Sequence, residues 1–365
     1  MTDHSTKQVG VTIGIDLGDR HSHLCVLDGE GQIIEEGRVV TNRAAFERRF
    51  AGEAPARIAF ETGTHSPWVL ALLTELGHQV IVANPRKLRM IFKSDSKNDR
   101  VDAQQLARVA RLDPQLLSPI QHRSQEVRAD LHLLRSRDVL VATRTKMVNH
   151  IRGCMKGFGL RLPCVATTTF PRVAAPMIPR NLRSSLVPML RMIAELTTRI
   201  RDSKRRIERL CAERYPQTEV LRQVNGVGPV TALTFMLTLE DPSRFAKSRD
   251  VGAYLGIRPK QRQSGHSDPE LRISKAGDRE LRRLLVQCAQ YMLGPFGKDS
   301  DLRRFGLRLA ARGGASAKRR AIIAVARKLA VLLHRLWVTG EVYEPLRQAS
   351  LRAPGMESTR EVARV

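Results

Sequence analysis

The sequence predicts an α/β domain followed by a mainly helical remainder. Short apolar runs alternate with helical patterns over the first third of the chain, heptad-spaced apolar residues fill the middle, and helical stripes separated by glycine and proline turns make up the rest. With 365 residues, 42% of them hydrophobic, the chain can bury two or three cores.

Val11 to Ile15 is an apolar strand that ends at Asp16. Ser22 to Leu27 and Gln32 to Val39 are two further strands, joined by the turn residues Asp28-Gly29-Glu30-Gly31. A polar helix over Asn42 to Phe50 precedes the strand Ala56 to Phe60, which delivers Glu61 to its carboxyl end. A helix over Pro67 to Leu76 and a strand over Gln79 to Ala83 follow. From Asp99 onward a helix places Val101, Leu106, Val109 and Ala110 toward a core. Three meandering strands, a helix, then alternating strands and helices describe the ribonuclease-H-like order.

Asp16, Glu61, Asp99 and Asp102 are the candidate catalytic and metal-ligating residues. Asp99 and Asp102 share one helix face through their i,i+3 spacing, and in α/β sheets functional groups collect where strands end. A lone aspartate at such a place is ordinarily a cap or turn residue; the joint pattern is what points to chemistry. Carboxylates hold hard cations such as Mg2+ or Mn2+, and paired cations stabilise both the attacking and the leaving oxygen in phosphoryl transfer.

Composition names the partner class. Lys and Arg number 62 against 36 Asp and Glu, a formal net charge of +26, which predicts a polyanionic partner. Nucleic acid fits better than a membrane, because no apolar run reaches spanning length and no secretory signal opens the chain. Aromatic content of 4% argues against base reading by extensive stacking. The 5 cysteines, Cys25, Cys154, Cys164, Cys211 and Cys288, lack C-x-x-C spacing and are read as reduced thiols of a cytoplasmic protein, without zinc.

Beyond the acidic region, Val127, Leu134, Val141 and Val148 recur every seven residues, with Leu133, Leu140 and Met147 beside them. Leu186, Ile193, Ile200 and Ile207 form a second such stripe, flanked by Leu190, Leu196 and Leu210. The spacing predicts two long helices packed as a coiled coil or antiparallel hairpin, with the stretch from Pro163 to Pro179 as an irregular tip. Arginines and lysines along both helices make this a basic arm for nucleic-acid backbone or a second subunit.

Leu221 to Met236 has the look of a helix-hairpin-helix: Gly226 and Gly228 flank a tight turn, Pro229 opens a helix, and the exposed amides suit a phosphate. Arg258, Lys260, Arg262, Lys275, Arg279, Arg282 and Arg283 then surround two polar turns, Gln263-Ser264-Gly265 and Ile273-Ser274-Lys275. A serine among cations either contacts phosphate or attacks it once its proton is removed. Lys318 to Val338 is a last helix, with Ile322, Val325, Leu329, Leu332 and Leu336 as its buried stripe. The organisation expected is a flexible start at 1–9, the acidic domain at 10–118, the basic helical arm at 119–215, a C-terminal domain at 216–342 and a weakly ordered tail at 343–365.

From about Val11 to Val338 the chain resembles the DEDD transposases of bacterial insertion sequences, the family of bridge-RNA-guided serine recombinases. The resemblance rests on GIDLGDRHSHLCVLD, IAFETG, KNDRVDAQQLA, VNGVGPVTA, YLGIRP with RQSG, ISKAGDRELRRLL and AIIAVARKLAVLLH, all in the family order. It implies that Asp16, Glu61, Asp99 and Asp102 are the four RuvC-resolvase-like acids, and that Ser264, the serine before glycine, is the nucleophile. The family commonly has small residues and a lysine after that serine, whereas His266, Ser267 and Asp268 stand here, which keeps Ser274 as the substitute. The implied reaction is cleavage of element ends and target DNA through a transient phosphoserine link, then strand exchange and religation. The implied partners are DNA, a structured noncoding guide RNA and further copies of the chain, as a dimer or tetramer, in a bacterial cytoplasm at the nucleoid.

Two rival readings stand beside it. IGIDLG also opens the actin- and hexokinase-like ATPase fold, but no second glycine-rich phosphate turn or adenosine motif follows. A non-catalytic nucleic-acid-binding protein on a degenerate resolvase fold is the other, and loss of one of the four acids would favour it.

Overall fold

The computed structural model describes residues 10–87, 98–265, 267, 269 and 271–347. The expected flexible start at 1–9, the tail beyond 347, and His266 and Asp268 lie outside the described residues. The chain divides into two compact units, Met1–Arg123 and Ser124–Val365.

The first unit is built on a five-stranded mixed sheet of order β3-β2-β1-β4-β5. Its strands are β1 (Thr12–Asp16), β2 (His21–Leu27), β3 (Ile33–Val40), β4 (Arg57–Glu61) and β5 (Gln79–Ala83). The strands β1, β2 and β3 pair antiparallel, whereas β4 pairs parallel to both β1 and β5. Helices α1 (Arg43–Phe50) and α2 (Ser66–Glu75) cover one face, and α3 (Asp99–Leu112) covers the other.

Side-chain size explains the two faces. On the α1–α2 side Ile13, Ile15, Ile58 and Phe60 pack with Phe46, Phe50, Val69 and Leu72, a thick apolar layer. On the α3 side the sheet offers Cys25, Ala59 and Ala83 with only Leu27 and Ile81 as larger side chains, and the helix inserts Ala103, Leu106, Ala107 and Ala110. Asn42 caps α1 by accepting from the Ala45 amide at 2.8 Å, and Asn98 caps α3 through the Arg100 amide at 3.0 Å.

The second unit is mostly helical. It comprises α4 (Gln125–Gly157), α5 (Phe170–Ala174), α6 (Arg183–Arg214), α7 (Thr218–Arg222), α8 (Pro229–Leu239), α9 (Asp250–Tyr254), α10 (Arg279–Leu293), α11 (Asp301–Ala310) and α12 (Gly314–Thr339). The long helices α4 and α6 pack together, and their burial is unequal. On α6 Leu186, Leu190, Ile193, Leu196, Ile200 and Ile207 are all buried, whereas on α4 Leu140, Val141, Met147 and Val148 are half-buried and Val139 is 63% exposed.

The tip between these helices differs from the irregular loop expected over Pro163 to Pro179. It folds back into α5 and carries its own core, in which Phe170, Ala174 and Ile178 meet Ile151, Met155 and Leu186. The Arg152 guanidinium donates to the Leu162 and Pro163 carbonyls at 2.9 and 2.8 Å and lies over the Phe170 ring. Its prolines look like loop punctuation, yet Pro171 starts a short helix, a position where a missing amide costs nothing.

At the root of α4, buried Asp130 accepts from the Tyr215 hydroxyl at 2.7 Å and from Arg214 at 3.1 Å. Burial first, then the hydrogen bond to Asp130, pushes the Tyr215 hydroxyl up to about 12. A raised folded-state value means the neutral phenol is favoured by folding. The resulting stability is present below the ordinary tyrosine value near 10 and is lost as pH rises toward about 12. Thermal melts across that window should show a fall in the melting temperature of the second unit that Tyr215→Phe flattens; an equal fall in the variant contradicts the assignment.

The larger core of this unit joins α8, α10 and α12 through Phe235, Leu281, Leu285, Val325, Leu329 and Leu333. On α12 Val325, Leu329 and Leu336 are buried as the periodicity predicts, while Ile322 and Leu332 are half-buried at the edge of that core. No helix among the described residues is long and apolar enough to cross a membrane.

Candidate active site and nucleic-acid interface

Backbone pairing places two of the four acids on one edge of the sheet. Asp16 is the last residue of β1, opposite His23, and Glu61 is the last residue of the parallel neighbour β4, opposite Ala83. Because β1 and β4 run parallel and Ile15 pairs with Phe60, their carboxyl ends share that edge.

The direction of α3 brings the other two to the same edge. Near its C-terminus, the Ala110 carbonyl accepts from Arg57, which sits opposite Thr12 at the start of β1. In its middle, Ala103 and Ala107 lie against Gly14, where an added Cβ would come within 2.1 Å of the Ala103 carbonyl oxygen and 2.4 Å of the Ala107 nitrogen. The helix therefore runs antiparallel to β1, and its first turn, with Asp99 and Asp102, reaches the end where Asp16 stands. Negative charge is favoured there by the unpaired amides of a helix N-terminus.

Glu36 on β3 fixes that first turn. It accepts from Gln104 at 2.5 Å and pairs with Arg100, which holds its carboxyl below the usual range. Arg100 stands between Asp99 and Asp102 in sequence but is turned to Glu36. Asp16 and Asp102 are half-buried, and Glu61 and Asp99 are exposed.

Among the described residues, no group of three or more His, Cys, Asp or Glu side chains is gathered closely enough to hold a metal ion. The four acids lie at one end of the sheet without closing into a cage. Their all-oxygen donor set nevertheless suits a hard divalent cation rather than a soft one.

The second unit carries the other candidates. The segments 256–265 and 271–275 pair antiparallel as a hairpin, with the Lys260 amide donating to the Arg272 carbonyl at 3.0 Å and the Ser274 amide to the Arg258 carbonyl at 2.9 Å. At its tip Ser264 and Ser267 exchange backbone hydrogen bonds at 3.1 and 2.9 Å, and Ser264 is exposed. Ser274 is half-buried near the base, where its hydroxyl accepts from the Ala276 amide.

The base is a tight backbone crossing. At Gly277 an added Cβ would come within 2.1 Å of the Tyr254 carbonyl oxygen and 2.6 Å of the Leu255 Cα. Arg282 straddles the crossing, donating to the Leu255 and Gly277 carbonyls at 3.0 Å each. Arg283 pairs with Asp138 at 2.5 Å. These two cations work within the fold, whereas Lys260, Arg262, Lys275 and Arg279 are exposed around the hairpin, as is Arg258, which donates to Gln261 at 2.7 Å.

Gly226 and Gly228 lie between α7 and α8. Gly226 has φ +88°, and its missing side chain leaves room for Tyr291, whose ring carbon an added Cβ would meet at 2.9 Å. Gly228 caps α8 without a side chain, so the first amides of that helix are not covered by a capping group.

Sequence reasoning overlooked Gly14, Glu36 and Gln104. A glycine inside the apolar run VTIGID was the available signal, since glycine in a strand interior marks a close backbone approach. Glu36 left no local trace, because its partners are on α3, far away in sequence.

Residues 13–159 match the IS110-type DEDD family described as Transposase, and residues 218–305 match the family described as Transposase IS116/IS110/IS902. The chain is similar to the transposase for insertion sequence element IS1328 of Yersinia enterocolitica, at 30% identity over 283 residues, 76% of this chain and 82% of that protein. It is similar to the transposase for insertion sequence element IS1111A of Coxiella burnetii, at 29% over 350 residues, 93% of this chain and 92% of that one. A probable family 20 transposase of Pseudomonas aeruginosa is 29% identical over 311 residues, 80% of this chain and 86% of its own length.

Proposed function

Because the chain belongs to the IS116/IS110/IS902 family of transposases, we propose that its acidic edge and its Ser264 hairpin are the two parts of one DNA-recombining site. The observation that carries this reading is the antiparallel seating of α3 on β1, which puts Asp99 and Asp102 at the strand end that carries Asp16 and, beside it, Glu61. In this reading the five-stranded mixed sheet of the first unit is a ribonuclease-H-like, RuvC-like domain.

Asp16, Glu61, Asp99 and Asp102 would hold Mg2+ or Mn2+. When bound, such an ion offsets charge on the phosphate oxygens. The half-buried Asp16 and Asp102 orient the edge, and Glu36 keeps Arg100 from neutralising it. Ser264 lies on an exposed tip, with Arg262 two residues before it and Lys260 and Arg258 farther down the same side of the hairpin, and in this reading it meets a backbone phosphate. Its oxygen attacks phosphorus, its proton leaves to solvent or base, and the departing deoxyribose hydroxyl takes up a proton. The phosphoserine ester keeps the bond energy, so a new DNA hydroxyl can attack it, release serine and reseal the strand without nucleotide hydrolysis.

The two parts come from different copies of the chain in this reading, as a dimer or tetramer. The α4–α6 pair is a coiled-coil arm, and the glycine turn before α8 acts as a helix-hairpin-helix on DNA backbone. A structured guide RNA would supply sequence choice by base pairing while the protein reads backbone and shape. Family membership leaves the ATPase reading without support.

Cleavage of a DNA substrate carrying the element ends tests the acidic half. Asp16→Asn, Glu61→Gln, Asp99→Asn and Asp102→Asn should each lower cleavage by at least about 100-fold with the fold intact. Full activity in Asp16→Asn or Asp102→Asn would remove the acidic edge from the mechanism.

A further inference from the structure

We infer that a cavity between α11, α12 and the returning segment 341–347 binds one unpaired nucleotide of a single-stranded nucleic acid. The inference rests on the nucleic-acid reading above and adds a site that the recombination chemistry does not use.

The cavity measures about 560 Å³, within the few hundred to about 1,000 Å³ of small-ligand sites and ample for a base, a sugar and a phosphate. Its apolar floor includes Leu302, Phe305, Val331 and Leu332. Its outer wall is fixed in place: the Asp301 amide donates to the Pro345 carbonyl at 2.7 Å, and the Tyr343 amide donates to the Gln223 side chain at 2.8 Å. The shape is therefore formed before any ligand arrives.

Charge at the rim selects an anion. Arg335 and Arg347 share Glu341, at 2.7 and 3.2 Å. Arg327 and Lys328 are exposed and in no ion pair among the described residues. Asp301 lies in the first turn of α11, where the helix end offsets its charge. Glu344 also lines the cavity, so four cations, Arg327, Lys328, Arg335 and Arg347, stand against the carboxylates Asp301 and Glu344 in its lining, and Arg327 and Lys328 are the two available to a phosphate at its mouth.

Lys328 also occupies the place a base would take. Its ammonium sits 4.3 Å from the Phe305 ring centroid, a cation held over a π face. A base entering the cavity takes that face, and Lys328, on a flexible stem, moves to the phosphate of the same nucleotide. Bases inside a duplex have both faces stacked and cannot enter, so the site discriminates unpaired from paired strands. Overall scarcity of aromatics does not conflict with this, because a single stacked nucleotide needs a single ring.

The test uses the full chain with fluorescent homopolymeric oligonucleotides, one of RNA and one of DNA, and a blunt DNA duplex. Phe305→Leu should weaken single-strand binding by about 5- to 100-fold and leave duplex binding unchanged. Lys328→Glu, at an exposed position, should weaken single-strand binding and reduce its salt slope by about one, with the melting temperature measured alongside to show that the fold is retained. The oligonucleotide that shows the Phe305 dependence identifies whether RNA or DNA is the natural source. Equal loss of single-strand and duplex binding in Phe305→Leu, or wild-type binding in Lys328→Glu, overturns the inference. Activity surviving in the acidic-edge variants would sink the recombination site alone and leave this binding intact.

Discussion

Gly14→Ala is expected to abolish DNA cleavage and to destabilise the first unit by about 3 kcal/mol, at the upper end of the cost of overpacking a core. The added methyl would stand 2.1 Å from one backbone atom of α3 and 2.4 Å from another. Backbone cannot rotate aside as a side chain does, so the helix must lift from the sheet. That movement carries Asp99 and Asp102 away from Asp16 and breaks the contacts of Ala103, Leu106 and Ala107. A melting temperature lower by roughly 10 °C accompanies the loss of cleavage. Unchanged stability and activity in Gly14→Ala would show that α3 does not rest on β1 in the working protein.

Gly277→Ala is the corresponding lesion on the serine side. Its methyl would meet the Tyr254 carbonyl oxygen at 2.1 Å and the Leu255 Cα at 2.6 Å, where the two ends of the hairpin cross. The hairpin base has to open, and Arg282 cannot then reach the Leu255 and Gly277 carbonyls together. The expected cost is about 2–3 kcal/mol in the second unit, with covalent capture of DNA lost. DNA binding should persist, since Lys260 and Arg262 remain exposed on the displaced hairpin. Capture at the wild-type level would mean that Ser264 does not depend on this crossing.

These two glycines show what sequence makes legible and what it hides. The strands of the sheet were readable to within a residue or two because apolar runs and turn residues mark them locally, and Asp16 and Glu61 could be placed at strand ends for the same reason. The approach of α3 to β1 was not, because it depends on small residues facing each other from distant segments: Gly14 and Cys25 against Ala103 and Ala107, and Ala59 against Ala110. The tip of the α4–α6 pair was legible only in part: residues 163–169 are irregular as expected, but Pro171 and Pro176 open short helical turns that pack on α4 and α6, where Arg152 also holds the chain by its carbonyls. Likewise, a stretch of basic residues cannot tell which cations serve the fold. Arg282 and Arg283 are bound to carbonyls and to Asp138, whereas Lys260 and Arg262 face solvent.

The pairing of an acidic edge with a serine on a separate hairpin is the central claim, and covalent capture of DNA measures it most directly. Wild-type protein is incubated with element-end DNA and divalent cation, denatured, and resolved for protein joined to DNA. The account predicts a covalent adduct that disappears in Ser264→Ala, persists in Ser274→Ala, and fails to form in Asp102→Asn although that variant still binds DNA. An adduct of undiminished yield in Ser264→Ala would contradict it.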